Sequence, residues 1–394
     1  MKSIQLRAGG NQTLMIAHLL LSTIVMPTSM ANDQVTGEKI PKQPIRLIYD
    51  GDIGPDPCDF STLSMLHEYH KRGMIELLGV IGETPDKHLA STFSIYNQLY
   101  GHDIPIGAFE PGRSEVEFTS EVIVRYFANI NKLCFADQNK TIYDRYGNKE
   151  TATSGEVSGT VSLYRKLLSA AEDNSVVIYI AGQLYNFPPL ITSKADSYSQ
   201  LSGRELLDRK VKEFVVMGGF FPNSLKNKWY IDNTHGAEWN FWGFHSRHTT
   251  KNTFHVLTQL DKPITYIGAE TGYPVKVGLE MAKRLGRSHP TTEAFTQYRL
   301  TSRIVEDQEA EGPVLQKRNP AYDELTLFYV VEGGVGKYFV RHTGQITIDE
   351  NGANGWLPGD GNESYLTFTG TWKERNTAIK ELQNIITDRI TGRF

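Results

Sequence analysis

The chain has 394 residues, 39% hydrophobic and 22% charged, enough to bury a core as one large α/β domain or two average ones. Lys and Arg total 41 against 45 Asp and Glu, and a net charge of −4 argues against a nucleic-acid binder working through a basic face. Two cysteines exclude a disulfide scaffold and a multi-cysteine zinc site.

Residues 1–31 read as a cleavable signal peptide. Lys2 and Arg7 give a positive start, Leu14 to Met26 an apolar stretch, and Ser29-Met30-Ala31 the small-x-small pattern of a signal-peptidase site. The stretch is short and polar for a membrane span, although an uncleaved anchor is the alternative. The reading predicts a periplasmic or secreted protein, a linker over 32–44, a single domain over 45–394 and no membrane contact after cleavage. In an oxidising compartment Cys58 and Cys134 could form a disulfide or remain two thiols.

From Ile45 onward strand-like and helix-like segments alternate. Ile45 to Tyr49 is a short apolar run, and Phe60, Leu63, Leu66 and Tyr69 follow at helical spacing, closed by Gly73. Ile75 to Ile81 reads as a buried strand, and Leu89, Phe93, Tyr96 and Tyr100 as a helix face. Residues 110–157 are polar and irregular, the signature of an insertion. Val176 to Ile180, Val211 to Met217 and Ile264 to Ile267 are further β-rich runs, with an irregular stretch over 221–236 placed like a substrate loop. Tyr338 to Phe368, with Gly344, Gly352 and Gly355, predicts hairpins after the last core helix. The alternation predicts an α/β fold, a mostly parallel open sheet with helices on both faces plus a small C-terminal β-hairpin segment.

The strongest local signal runs from Tyr49 to Asp59. Asp50, Asp52, Asp56 and Asp59 fall within ten residues, right after an apolar strand and right before a helix. In an open parallel sheet that is the edge where ligands bind. Converging carboxylates repel one another unless a cation or protons neutralise them. Oxygen ligands without a His or Cys cluster favour Ca²⁺ or Mg²⁺. The alternative is a solvated acidic turn in which Asp59 caps the helix. An EF-hand is excluded, because its sixth and twelfth positions counted from Asp50 hold Pro55 and Ser61. An aspartyl-phosphate phosphotransferase would follow Asp-x-Asp with Thr or Val, where this chain has Gly54.

Asp50-x-Asp52-x-Gly54-x-Asp56, with Asp59 at a helix start, resembles the calcium-binding fingerprint of the inosine/uridine-preferring nucleoside hydrolases. Four more motifs extend the resemblance in order over roughly residues 45–335. They are Ala181-Gly182-Gln183-Leu184-Tyr185-Asn186 after a strand, Met217-Gly218-Gly219 ending another, Glu238-Trp239-Asn240-Phe241, and Tyr322-Asp323 opening an apolar helix. The Gly-rich segment from Gly344 to Trp356 is similar to that of exported bacterial members.

The resemblance implies Ca²⁺-dependent cleavage of the N-glycosidic bond of a small-molecule nucleoside, through a metal-bound water, with no nucleic acid as partner and a homo-oligomer left open. It assigns Asp52, Asp59, Asp323 and the Ala181 carbonyl to the ion, Asp52 also as general base, and Asp50 to holding the loop. It assigns Asn233, Glu238 and Asn240 to ribose hydroxyls and Met217 to packing beneath the sugar. The alternatives are a helix cap for Glu238 and Asn240 and a core methionine for Met217. Two departures stand out. Cys58 occupies the first place of the family's Asp-Asp pair, leaving Asp56 as the nearest replacement at the ribose, while Pro55 and Pro57 stiffen the loop. Tyr322 stands where many members carry a leaving-group His, and its reference pKa near 10 matches neutral pH poorly. His235 and His245 are candidate substitutes or ordinary surface residues, and Trp229, Tyr230, Trp239 and Trp242 could stack a purine or simply pack. An exported ribose-binding protein without turnover is the competing function on the same fold.

Overall fold

The computed structural model describes residues 43–54, 56–109, 138–242, 257–301 and 318–394. The expected signal peptide, Pro55, Cys134 and His245 lie outside them. From Pro41 to Phe394 the chain is one compact unit.

The apolar runs become strands buried on both faces. In β1 (Ile45–Gly51) every residue from Leu47 on is buried, and β4 (Val176–Ile180) is buried throughout. Such continuous apolar runs require cover on both sides, unlike strands with one solvated face. Alternate side chains separate accordingly: Leu47, Tyr49, Val177 and Tyr179 join one core cluster, and Ile48, Ile178 and Ile180 the other. α1 (Cys58–Lys71) and α2 (Leu89–Tyr100) supply Phe60, Leu63 and Phe93 to the first cluster. α4 (Thr160–Ala170), α5 (Phe187–Thr192) and α6 (Gly203–Lys210) supply Tyr164, Phe187 and Leu206 to the second. Between them α3 (Gln138–Tyr146) turns part of the expected irregular insertion into a helix.

The remaining strands are β2 (Ile75–Gly82), β3 (Ile106–Gly107), β5 (Val211–Met217), β6 (Ile264–Ile267), β9 (Phe339–Ile348), β10 (Asn354–Pro358) and β11 (Glu363–Phe368). They form a nine-stranded sheet in the order β10-β9-β11-β6-β5-β4-β1-β2-β3. All neighbours from β11 to β3 are parallel, and only the β9 and β10 pairings are antiparallel. α9 (Ala269–Gly272) follows β6, and α10 (Leu279–Leu285) and α11 (Pro290–Thr301) come in the chain between the strands of a separate pair, β7 (Lys276–Val277) and β8 (Asn319–Pro320), which leads into α12 (Tyr322–Glu332). The chain runs outward from β1 through β2 to β3, then returns to β4 on the other side of β1. That reversal opens a crevice at the C-terminal ends of β1 and β4, where such sheets hold ligands. Asp50 pairs with Ile180 there, and the Ala181 N–H donates to the Asp50 carbonyl at 2.7 Å.

The expected mostly parallel α/β sheet is present. The C-terminal hairpins differ from expectation: β11 joins the main sheet, parallel to β6 and antiparallel to β9. Nor is α12 the last core helix. α13 (Trp372–Ile390) follows and buries Ala378, Leu382, Ile386 and Ile390, an apolar stripe repeating every four residues. Among the described residues no helix is long and apolar enough to cross a membrane.

Candidate active site

The acidic loop leaves β1 and lies over the start of α1. Asp50 is fully buried beneath it, where its carboxylate accepts hydrogen bonds from the Tyr164 hydroxyl and from the Asn186 amide at 2.9 and 3.1 Å. Burial pushes its pKa up to about 7, against the opposing effect of those two donors. Asp50 does not line the cavity described below; its place is under the loop. Two glycines admit this packing. A Cβ on Gly182 would stand 2.2 Å from a Glu83 carboxylate oxygen and 3.1 Å from the Asp52 nitrogen. Gly54 has φ +136° and would meet the Asn139 amide at 2.7 Å. Asn139 and Gln138 of α3 donate to the Ile53 and Gly54 carbonyls, fixing the loop from outside.

Asp52, Asp56, Cys58, Asp59, Ala181 and Asp323 line one end of a cavity of about 380 Å³, within the roughly 300–1,000 Å³ of small-molecule sites. Pro57 occupies the N-cap position of α1 and no side chain caps the helix, while Asp56 Oδ1, one residue earlier, accepts from the Cys58 N–H at 2.8 Å. Asp59, expected as the cap in the solvated-turn alternative, instead accepts from the Tyr49 hydroxyl at 2.7 Å. Cys58 is a free, buried thiol, and its Sγ donates to Asp323 Oδ2 at 2.7 Å. Single ligand atoms of Asp56, Cys58 and Asp59 lie within 4.8 Å of one another. Asp323 comes from the first turn of α12, where its own carbonyl accepts from the Tyr179 hydroxyl at 2.9 Å.

The charges at this end are mutually unfavourable. Burial first, then neighbouring carboxylates, raise the pKa values of Asp52, Asp59 and Asp323 well above the ordinary range. Burial and the adjacent Asp323 raise the Cys58 thiol likewise. Without a cation the cluster must hold protons. The donor set suits a hard cation. The hydrogen bonds to Asp52, Asp59 and Asp323 from Gln183, Tyr49 and Cys58 engage one oxygen of each, so the second can coordinate.

The neighbouring wall comes from β5 and the segment after it. Met217 ends β5 and lines the cavity. Glu238 and Asn240 line it too, around the single turn α8 (Trp239–Trp242). Glu238 Oε2 accepts from the Gly219 and Asn240 N–H groups at 2.8 and 3.1 Å, and burial pushes its pKa up to about 7. Asn240 Nδ2 donates to the Ala181 and Met217 carbonyls at 3.2 and 3.1 Å, tying the ends of β4 and β5 together.

Asn233 stands apart from the cavity. It is exposed on α7 (Lys228–Thr234), and its amide turns back to the Trp229 carbonyl one helical turn earlier, at 2.8 Å. Asn227 lines the cavity instead and caps α7, accepting from the Tyr230 N–H at 3.3 Å. Trp229, Tyr230 and Trp239 line the cavity, whereas Trp242 does not. Tyr322 lines it as well, but among the described residues no histidine does; His235 is the exposed, left-handed residue that ends α7. Arg375 of α13 and Glu270 complete the wall, the latter with a pKa raised to about 8 by burial. Neither belongs to a motif that the sequence singles out.

No protein-family model matches the chain, and no curated protein matches it. Solved structures do. A purine-preferring ribonucleoside hydrolase from Gardnerella vaginalis is 13% identical, with a TM-score of 0.56 over 88% of this chain and 98% of its own. A plant nucleoside hydrolase is 14% identical, with a TM-score of 0.54 over 88% of this chain and 99% of its own. The type III effector XopQ, solved in complex with adenosine diphosphate ribose, is 14% identical, with a TM-score of 0.55 over 89% and 93%. At these identities the likeness is one of architecture, and the chain has the nucleoside hydrolase fold.

Proposed function

We propose that the protein hydrolyses the N-glycosidic bond of a ribonucleoside, with Ca²⁺ held by Asp52, Asp59, Asp323 and the Ala181 carbonyl. One observation carries the reading. Three carboxylates, Asp52 just after β1, Asp59 of α1 and Asp323 of α12, line one cavity at the switch-point crevice together with Glu238 and Asn240. Glycosidic cleavage develops positive charge on the sugar, which an anionic floor favours. Bound there, the ion would supply Lewis acidity toward water and relieve the carboxylate repulsion.

The chain's own groups divide the remaining work. Asp52 takes the proton of the attacking water, with its Oδ2 fixed by Gln183 at 2.7 Å. Glu238, Asn240 and Asp56 face the cavity as partners for ribose hydroxyls, and Met217 offers an apolar surface to the ring. Tyr322 supplies a phenol to the same cavity. Export of the mature protein belongs to the proposal, and mass spectrometry of its N-terminus tests cleavage after Ala31.

A second reading, a ribosyl-binding protein without turnover, draws on the Cys58 thiol at Asp323 and on a cavity without a described histidine. Incubating the mature protein with a nucleoside panel in excess Ca²⁺ or chelator separates the two. Calcium-dependent release of free base and ribose is expected. Calcium-dependent binding without release would establish the second reading, and neither binding nor release would overturn both.

A further inference from the structure

The cavity has two unlike ends. Its floor is anionic, yet Arg375 lines the same space, contributed by a helix far along the chain from every acidic motif. The backbone at this residue is anchored. The Thr371 side chain and the Glu374 carboxylate cap the start of α13 reciprocally, and the Arg375 N–H bonds the Thr371 carbonyl at 2.9 Å. Glu374, the carboxylate next to it in sequence, is occupied in that box and receives the Thr371 N–H at 2.6 Å. The guanidinium lies 5.4 Å from the centroid of the Phe368 ring, which supports it from one face. Among the described residues no carboxylate pairs with Arg375 and no side-chain hydrogen bond engages it. Arg375 is exposed, so its charge stands at the solvent-facing side of the cavity.

An arginine on an anchored helix start, lining a ligand cavity and without an acidic partner among the described residues, is suited to a planar bidentate contact with an oxyanion. The carboxylate floor repels anions, so an anionic group would be tolerated only where this guanidinium reaches. We infer that the cavity takes a phosphorylated ribosyl compound, with the sugar toward the carboxylates and a phosphate on Arg375. The inference rests on the ribose reading above, but it replaces a neutral nucleoside with a nucleotide or phosphoribosyl compound as the preferred ligand class.

The full mature chain, in excess Ca²⁺, is titrated calorimetrically with matched pairs differing by phosphate. Ribose 5-phosphate against ribose tests a monoester on a ligand without a cleavable base, and adenosine diphosphate ribose against adenosine tests a pyrophosphate. Inorganic phosphate tests an anion site independent of the sugar. The phosphorylated member of at least one pair is expected to bind about tenfold tighter, equivalent to about 1.4 kcal/mol. Arg375→Gln should shrink that preference to within about twofold while leaving the neutral member unchanged, and Arg375→Lys should retain part of it. Equal affinities in both pairs, a preference that survives Arg375→Gln, or inorganic phosphate binding as tightly as the phosphosugar would overturn the inference. Calcium-dependent nucleoside cleavage without phosphate preference leaves the hydrolase reading standing and removes this one. Phosphate preference without cleavage of any ligand does the reverse.

Discussion

The two ends of the cavity are built in different ways. The carboxylate end rests on the backbone of the central sheet: Asp52 follows β1, Ala181 follows β4, and Asp59 and Asp323 open the helices α1 and α12. The opposite end comes from connections and a late helix, with Asn227 between a short 3₁₀ turn and α7, and Arg375 on α13. The C-terminal edge of the sheet positions chemistry, because β1 and β4 are each held by two neighbours. Connections and outer helices adjust recognition, because they can change without disturbing the sheet.

The contrast predicts that damage to the first end cripples the chemical step while damage to the second changes ligand binding and local stability. Asp52→Asn should lower kcat by about 10²–10⁴-fold, the usual contribution of a general base, with KM for a ribonucleoside changed far less. A variant with near-parental kcat would break the assignment and the contrast with it. Cys58→Ala removes the donor to a buried Asp323 oxygen and should cost about 1–3 kcal/mol in urea melts of the cation-free protein. Excess Ca²⁺ should recover part of that loss; an unchanged melt would show that the thiol contact contributes nothing.

The second end offers a pH test. Glu270 has its pKa raised to about 8 when folded, against an ordinary unfolded value, so the folded state keeps a proton that the unfolded chain releases. Its stabilising contribution is complete below the unfolded pKa and falls as pH rises toward 8, by at most about 1.4 kcal/mol per pH unit for one proton. Glu270→Gln should flatten the stability profile between pH 5 and 8, and identical slopes in variant and parent would refute the shift. The smallest effects separate two asparagines. Asn227→Ala should cost about 1 kcal/mol through the lost cap and raise KM, whereas Asn233→Ala should stay within about 0.5 kcal/mol with KM unchanged. Equal effects on KM would show that α7 does not present Asn227 to the ligand.

Legibility in the sequence follows the same division. Asp50 to Asp59, Ala181 and Asp323 sit in short strings beside apolar strands or helix starts, so residue type and neighbours declare their place together. Local pattern also carries the alternating sheet. It does not carry Asn227 or Arg375, whose strings resemble any polar turn or surface helix and gain meaning only when distant segments pack. Asn233 shows the opposite failure: close to Glu238 in sequence, it lies on a helical turn that directs its amide to its own backbone. The stripe of Ala378, Leu382, Ile386 and Ile390 was within reach of periodicity alone, and it marks α13 as a core helix.

The place of β11 in the sheet has a consequence for biosynthesis. It lies between β6 and β9, and both of those strands leave the ribosome before it does. Until Glu363 to Tyr365 can pair with Ile264 to Tyr266, the edge of β6 has no partner on that side and the β9–β10 hairpin has no anchor to the parallel sheet. Pairing across so large a sequence separation is slow, and an open strand edge invites association between chains while it waits. A nascent chain can therefore complete its carboxylate end while still lacking β11 and α13. Any factor that shields emerging chains would act on this protein chiefly during that interval.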